Sequence, residues 1–303
     1  MTSPVRLGLC CQFLDSPIKF RTATHTYVST LTPARRRAYL QDILLSNART
    51  LALAVRRCHE LGIGAFRINS QIAPLATHPK TGYTLDAIDR NAEIIPAFRS
   101  AGALARELDI RLSFHPDQFV VLNSARETVV QSSVTEMNLQ ATMAELVGAD
   151  TLTLHGGGMT GGKPAALERL ALGVERLGAG ARLRLALEND DRQFAPADLL
   201  PLCNELKVPL VYDVHHHRCL PDGLSVADAS TLARATWGTR EPWMHISSPR
   251  DGWAAANPRP HADYIDPADF PVEWRGMRIT VDVEAKAKER AVLAMREVVK
   301  GEG

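Results

Sequence analysis

Five short runs of this chain end in a side chain that can bind a metal ion, and in each run that side chain shares its parity with the polar residues before it. The runs are Arg111-Leu112-Ser113-Phe114-His115, Thr151-Leu152-Thr153-Leu154-His155, Arg184-Leu185-Ala186-Leu187-Glu188, Trp243-Met244-His245 and Thr280-Val281-Asp282-Val283-Glu284. Successive side chains of a strand point to opposite faces, so the Leu, Phe and Val residues cover one face and the ligands share the other. Several strands thereby aim imidazoles and acids at one place, as a buried polynuclear metal centre requires. The candidate ligands are His115, His155, Glu188, Asp213, His216, His245, His261 and Glu284, with Asp263 beside them. Imidazole and carboxylate without thiolate suit manganese, zinc or iron, and suit magnesium poorly.

Only Asp213 and His216 are close enough in sequence to resemble a local metal motif. A lone histidine at a strand end is commonly a hydrogen-bonded structural group; it is the convergence of so many that points to metal. His215, His216 and His217 cannot all face one centre, because neighbours diverge. His216 is the expected ligand, since three residues beyond Asp213 the chain can curl back over the site. His78 lies in a loop after the second strand, open to a phosphate contact or to plain solvent, while His25 and His59 are expected to be inert. Three carboxylates with three divalent ions leave a formal excess of about three positive charges, which favours a phosphate substrate over a neutral sugar.

These residues need strands to carry them. Period-2 runs predict strands at 5–11, 64–70, 110–115, 151–155, 182–188, 208–214, 242–247 and 278–284. Helical spacing fills most of the gaps, as at Leu40, Leu44, Asn47, Leu51, Ala54, Cys58 and Leu61 before Gly62, and again at Val130, Val134, Met137, Ala141 and Ala144. Strict alternation of strand and helix implies parallel strands with right-handed crossovers, and eight such units close into an α/β (β/α)8 TIM barrel, here one domain over 1–303. The inward positions are then Arg6, Gly8, Cys10, Arg67, Asn69, Ser113, Thr151, Thr153 and Asp282, small and polar where barrel interiors are ordinarily aliphatic. The connection from Pro249 to Pro271 is too long to be idle.

Bulk properties set limits. The chain has 303 residues, 45% of them hydrophobic, and a formal net charge of +1, which excludes a broad electrostatic grip on polyanions. Five cysteines without a Cys-x-x-Cys spacing argue against a disulfide framework or zinc knuckle, and no apolar run is long enough to span a membrane, so a cytoplasmic protein is expected. Gly157 to Lys163 superficially fits a phosphate-binding loop, but Pro164 stands where that motif needs Ser or Thr.

The segments Phe20-Arg21-Thr22, Pro74-Leu75-Ala76-Thr77-His78-Pro79, His115-Pro116-Asp117-Gln118-Phe119-Val120-Val121-Leu122-Asn123-Ser124, Leu154-His155-Gly156-Gly157, Leu187-Glu188-Asn189-Asp190, Asp213-Val214-His215-His216-His217, His245-Ile246-Ser247-Ser248 and Glu284-Ala285-Lys286-Ala287-Lys288-Glu289 together resemble the UV damage endonuclease family. The resemblance runs over nearly the whole chain. It implies an endonuclease IV-like TIM barrel with two or three divalent ions, manganese first and zinc as an alternative, that nicks double-stranded DNA 5′ of ultraviolet photoproducts. It also implies that His115, His155, Glu188, Asp213, His216, His245, His261 and Glu284 are the ligands, the same set that the residues themselves suggest. In that family a Gln-Tyr pair is wedged into the duplex at the lesion; Gln118-Phe119 keeps the amide and the flat ring. Some relatives have a carboxylated lysine two residues before the histidine of strand seven, where this chain has Trp243, and an aromatic and an asparagine at the end of strand one, where it has Leu9 and the Gln12-Phe13 neighbourhood.

The mechanism implied is hydrolysis giving 3′-hydroxyl and 5′-phosphate ends, with Glu188, Glu284 and Lys286 as catalytic groups and Gln118, Phe119, His78 and Arg250, with Lys80, on the DNA. The substrate is damaged duplex, met at the nucleoid, with no membrane and no obligate protein partner. Two alternatives stay open: a xylose-isomerase-like sugar isomerase or epimerase on the same barrel, and a lesion-binding protein that does not cut.

Overall fold

The computed structural model describes residues 5–300. Eight parallel strands close into a barrel in chain order: β1 (Val5–Cys10), β2 (Ala65–Ile68), β3 (Arg111–Phe114), β4 (Thr151–His155), β5 (Leu185–Glu188), β6 (Leu210–Asp213), β7 (Trp243–Ile246) and β8 (Ile279–Val283). β1 closes on β8 with Gly8 opposite Asp282. The five cysteines are free thiols, and among the described residues no helix is long and apolar enough to cross a membrane.

The outer helices follow the predicted spacing. In the helix Pro33–Leu61, Thr32 caps the start by accepting from Arg35 N, Gly62 ends it at φ 67°, and Leu40, Leu44, Asn47, Leu51, Ala54 and Cys58 are buried on one face. Truncating a fully buried leucine such as Leu44 or Leu51 to alanine would cost about 2–5 kcal/mol. Asn47, polar within that face, accepts from Arg21 N and donates to the Ile72 and Arg21 carbonyls, which fixes two barrel-top loops to the helix.

Two predicted boundaries are corrected. The fifth strand begins at Leu185, because Ala179–Arg184 forms a helix that runs straight into it. Leu183 looked like part of the strand's alternation but is 71% exposed, and Arg184 folds back to the Gly180 and Ala149 carbonyls. Asn69 leaves β2 to cap the turn Ser70–Ile72, accepting from Gln71 N, so it is not an interior strand residue.

The interior is layered. At the lower rim Arg6, Arg111, Glu241 and Thr280 interlock through ion pairs and hydrogen bonds. Above them Ala65, Ala186, Val211 and Trp243 belong to a separate apolar cluster; these four come from β2, β5, β6 and β7, each two residues before a top-layer polar residue of its strand. Trp243 is 1% exposed, with its indole N–H on Asp150 and the Arg111 guanidinium 4.4 Å over its ring. It fills the barrel rather than reaching up toward the ligands.

Candidate metal centre

The upper layer gathers residues from six strand ends. Glu188 and Asp213 are the last residues of β5 and β6, His155 the last of β4, and His115 and Glu284 follow directly on β3 and β8, while His245 lies within β7. Glu188 is fully buried and holds the middle. Its Oε2 lies 2.7 Å from His115 Nε2 and 3.7 Å from His155 Nε2; its Oε1 lies 2.7 Å from His245 Nδ1 and 3.7 Å from His216 Nδ1. Two groups of ligand atoms fall within 4.8 Å of one another, His115 with His155 and Glu188, and Glu188 with Asp213, His245 and Glu284. Glu188 belongs to both.

Asp213 does two jobs. One oxygen caps the short helix Val214–Cys219 by accepting from His216 N at 2.8 Å, which turns His216 back over the site, and its Oδ2, 3.6 Å from His216 Nδ1, is buried without a hydrogen-bond partner. A buried carboxylate oxygen with nothing to accept suits a cation. His216 Nδ1 donates to the Asn189 carbonyl at 3.0 Å and His115 Nδ1 to the Pro116 carbonyl at 3.1 Å, which leaves Nε2 of each ring as the nitrogen an ion could take, for His115 in place of the proton it donates to Glu188. His261 reaches the rim on the long connection after β7, held by Arg250 N on Pro260 O and Ala262 N on Ser248 O, with Nδ1 3.7 Å from Glu284 Oε2.

Burial alone would raise the Glu188 carboxyl, but His245, His155 and His115 outweigh it and hold it well below the usual carboxylate range. Burial likewise opposes ionisation of Glu284, and Arg67 and His245 overcome it. For His216 burial works against the proton, yet Asp213, Glu188 and Glu284 push it up to about 9. Glu188 and Glu284 are thus held ionised, as cation ligands must be.

Other predicted residues lie away from this cluster. Gln118 and Phe119 are exposed on the loop after β3, Phe119 at 78%, beside a cleft of about 560 Å³ lined in part by Asp117, His155, Asp190, Arg192 and His216. Lys286 is exposed two residues past Glu284. Arg250 pairs with its neighbour Asp251 at 2.8 Å, and Asp263 is exposed. His78 stacks on His25 at 4.0 Å, and its Nδ1 accepts from Lys80 N, so Nε2 carries its proton. His25 therefore has a structural partner that spacing did not suggest. His217 is engaged by Tyr212 and Asp222, and His215 donates to the Arg259 carbonyl beneath Trp253. At the end of β1, Leu9 is fully buried and Phe13 stacks on Phe66 at 5.9 Å, so both are core residues.

Sequence reasoning missed Arg67. It was visible only as one polar inward residue among several, yet its guanidinium sits among the ligands, 2.9 Å from Asp282, 2.7 Å from Glu284 and 3.0 Å from His245 Nε2. Asp282 offsets its charge, so the formal balance of the ligand set is unchanged.

Comparison with known proteins follows the same lines. The family model described as UV-endonuclease UvdE matches residues 5–301. A UV DNA damage endonuclease of Deinococcus radiodurans is 37% identical, covering 96% of this chain and 94% of that protein, and one of Nostoc sp. is 32% identical over 96% and 89%. The crystal structure of SacUVDE superposes with a TM-score of 0.85 at 29% identity, covering 98% of each chain. Endonuclease IV from Thermus thermophilus, at 19% identity and a TM-score of 0.63, shares the fold.

Proposed function

This chain belongs to the UV-endonuclease UvdE family, and from that premise we propose that it is a metal-dependent DNA repair endonuclease that hydrolyses the phosphodiester 5′ of UV photoproducts, leaving 3′-hydroxyl and 5′-phosphate ends. The observation that carries the reading is Glu188, one buried carboxylate with His115 on one oxygen and His245 on the other, each at 2.7 Å. A residue so placed belongs to a shared, multi-ion cage.

His115, His155 and Glu188 would hold one ion, Glu188, Asp213, His245 and Glu284 a second, and His216 with His261 a third. Manganese fits this nitrogen and oxygen set, with zinc next. Bound there, two or three divalent ions would lower the pKa of water and offset the charge that develops on the phosphate and the leaving 3′ oxygen. The chain's own part is orientation. Asn189 and Pro116 carbonyls fix the rings of His216 and His115, Asp213 fixes the turn that carries His216, and Arg67 fixes Glu284. Glu188 and Glu284 act as the catalytic carboxylates, and Lys286, Arg250 and the Nε2–H of His78 take backbone phosphates. Exposed Phe119, with Gln118, replaces the stacking lost at a distorted step. Residues 1–303 work as one unit, in the cytoplasm at the nucleoid, on double-stranded DNA carrying UV lesions.

Purified protein with Mn2+ and an irradiated, end-labelled duplex tests this. A nick immediately 5′ of the photoproduct supports the nuclease; a mobility shift without a nick replaces it with a lesion binder; neither, with ions bound, returns the barrel to sugar chemistry.

A further inference from the structure

Asp282 is a buried acid whose one role so far is to pair with Arg67. It is fully buried, lies in register with His245 on the neighbouring strand, and occupies space that exists because residue 8 is glycine. A Cβ at Gly8 would stand 2.2 Å from Asp282 Oδ1. Oδ2 accepts from Arg67 Nε at 2.9 Å, whereas Oδ1 is buried and has no hydrogen-bond partner. An orphaned carboxylate oxygen in so tight a site is a cost that function can explain.

The other oxygen, Oδ2, lies beside His245. Its Nδ1 faces the ligand cluster, 2.7 Å from Glu188 Oε1 and 3.4 Å from Glu284 Oε1. Its Nε2 faces inward, 3.0 Å from Arg67 Nη2 and 3.7 Å from Asp282 Oδ2. A guanidinium can only donate, so here Nε2 accepts from Arg67, and Nδ1 carries the ring proton and donates it to Glu188. A cation on Nδ1 needs the other tautomer, with the lone pair on Nδ1 and the proton on Nε2. That Nε2–H would meet Arg67 donor to donor. The acceptor within reach is Asp282, whose Oδ2 lies 3.7 Å from Nε2 and has a second lone pair beside the one that takes Arg67 Nε.

We infer that Asp282 is a positioning residue of the metal centre: its carboxylate accepts the Nε2–H of His245 when Nδ1 holds a cation, with Arg67 anchoring that carboxylate. The inference rests on the reading of this cluster as a metal centre. With a cation on Nδ1, the ring carries one proton, on Nε2.

The test is ion binding rather than cleavage. Mn2+ is titrated by calorimetry, and counted by mass spectrometry, in chelator-stripped wild type, Asp282→Ala, Asp282→Asn and Gly8→Ala. Asp282→Ala should weaken at least one Mn2+ by about 10–100-fold. Asp282→Asn keeps an acceptor without the charge and should fall between. Gly8→Ala keeps the acid but takes its space, and should weaken binding as Asp282→Ala does. In the Zn2+-loaded wild type, long-range 1H–15N spectra should place the His245 proton on Nε2. Wild-type affinity in Asp282→Ala, or a His245 proton on Nδ1 with zinc bound, overturns the inference. If Asp282→Ala does not fold, by circular dichroism in chelator, the asparagine and Gly8→Ala variants and the spectra decide it. A wild type that binds Mn2+ yet leaves irradiated duplex intact sinks the nuclease reading and leaves the role of Asp282 standing; one that binds neither Mn2+ nor Zn2+ removes the inference as well.

Discussion

Arg67 Nη1 lies 2.7 Å from Glu284 Oε1, so a fixed positive charge sits at the inner edge of the cluster of candidate cation ligands. Both groups are largely buried, and the same guanidinium reaches Asp282. In the metal-free protein it is the counter-charge that, against burial, keeps Glu284 ionised.

Replacing Arg67 with Met should therefore destabilise the metal-free protein by about 3–5 kcal/mol, because it strands buried carboxylates. Saturating Mn2+ should recover part of the loss, since the ion supplies the missing charge and binds only the folded state. Urea unfolding in chelator and in Mn2+ measures both. An equal loss in the two conditions would reduce Arg67 to a packing group.

Glu188→Gln keeps the size of the bridging side chain and removes its charge. Nicking of irradiated duplex should fall by at least about a hundredfold, the scale of one preorganised electrostatic group, while the circular dichroism spectrum is retained. Full activity in this variant would remove Glu188 from the proposed chemistry.

Phe119 is 78% exposed, so Phe119→Ala should change stability by less than about 0.5 kcal/mol. Its effect should appear on DNA: the ratio of affinities for damaged and undamaged duplex should drop about tenfold, within the range of one lost base-stacking contact. Metal content should not change. A variant that discriminates as well as wild type would show that the ring is not the wedge.

The proton on His216 gives a signed pH dependence. Burial disfavours it, but Asp213, Glu188 and Glu284 hold the imidazolium to about pH 9 in the metal-free state. The folded value is raised, so this stabilisation of the metal-free protein is complete below the unfolded value of about 6.5 and is lost as pH rises through about 9. An incoming ion must displace that proton, so Mn2+ affinity should climb over the same window. Calorimetry at pH 7.5 in phosphate and in Tris should give heats that differ by the buffers' ionisation enthalpies; identical heats would show that no proton leaves.

Six of the candidate ligands, His115, His155, Glu188, Asp213, His245 and Glu284, were legible because each lies at or beside a strand end on the inward parity, a signal carried by two or three adjacent residues; His216 and His261 lie on the helix after β6 and the long connection after β7. The barrel was legible for the same reason, repeated along the chain. What stayed hidden depended on pairings between distant residues. Arg67 and Asp282 are 215 positions apart, and nothing local marks either as the other's partner. The His25–His78 stack joins two loops whose approach no periodicity encodes. Leu9 and Phe13 could be counted but not oriented, and only packing on Phe66 shows that they face the core. The helix Ala179–Arg184 escaped because its leucine and arginines happen to alternate like the strand that follows.

Trp243, with Ala65, Ala186 and Val211, stoppers the cylinder directly beneath the ligands. A vessel corked at its base fills and drains through one mouth, and on the proposed function that mouth is where the duplex lands. Ions must then be aboard before DNA docks, and a docked duplex seals them in until it departs. Turnover would thus follow a compulsory order, and a chelator added after substrate should find nothing to remove.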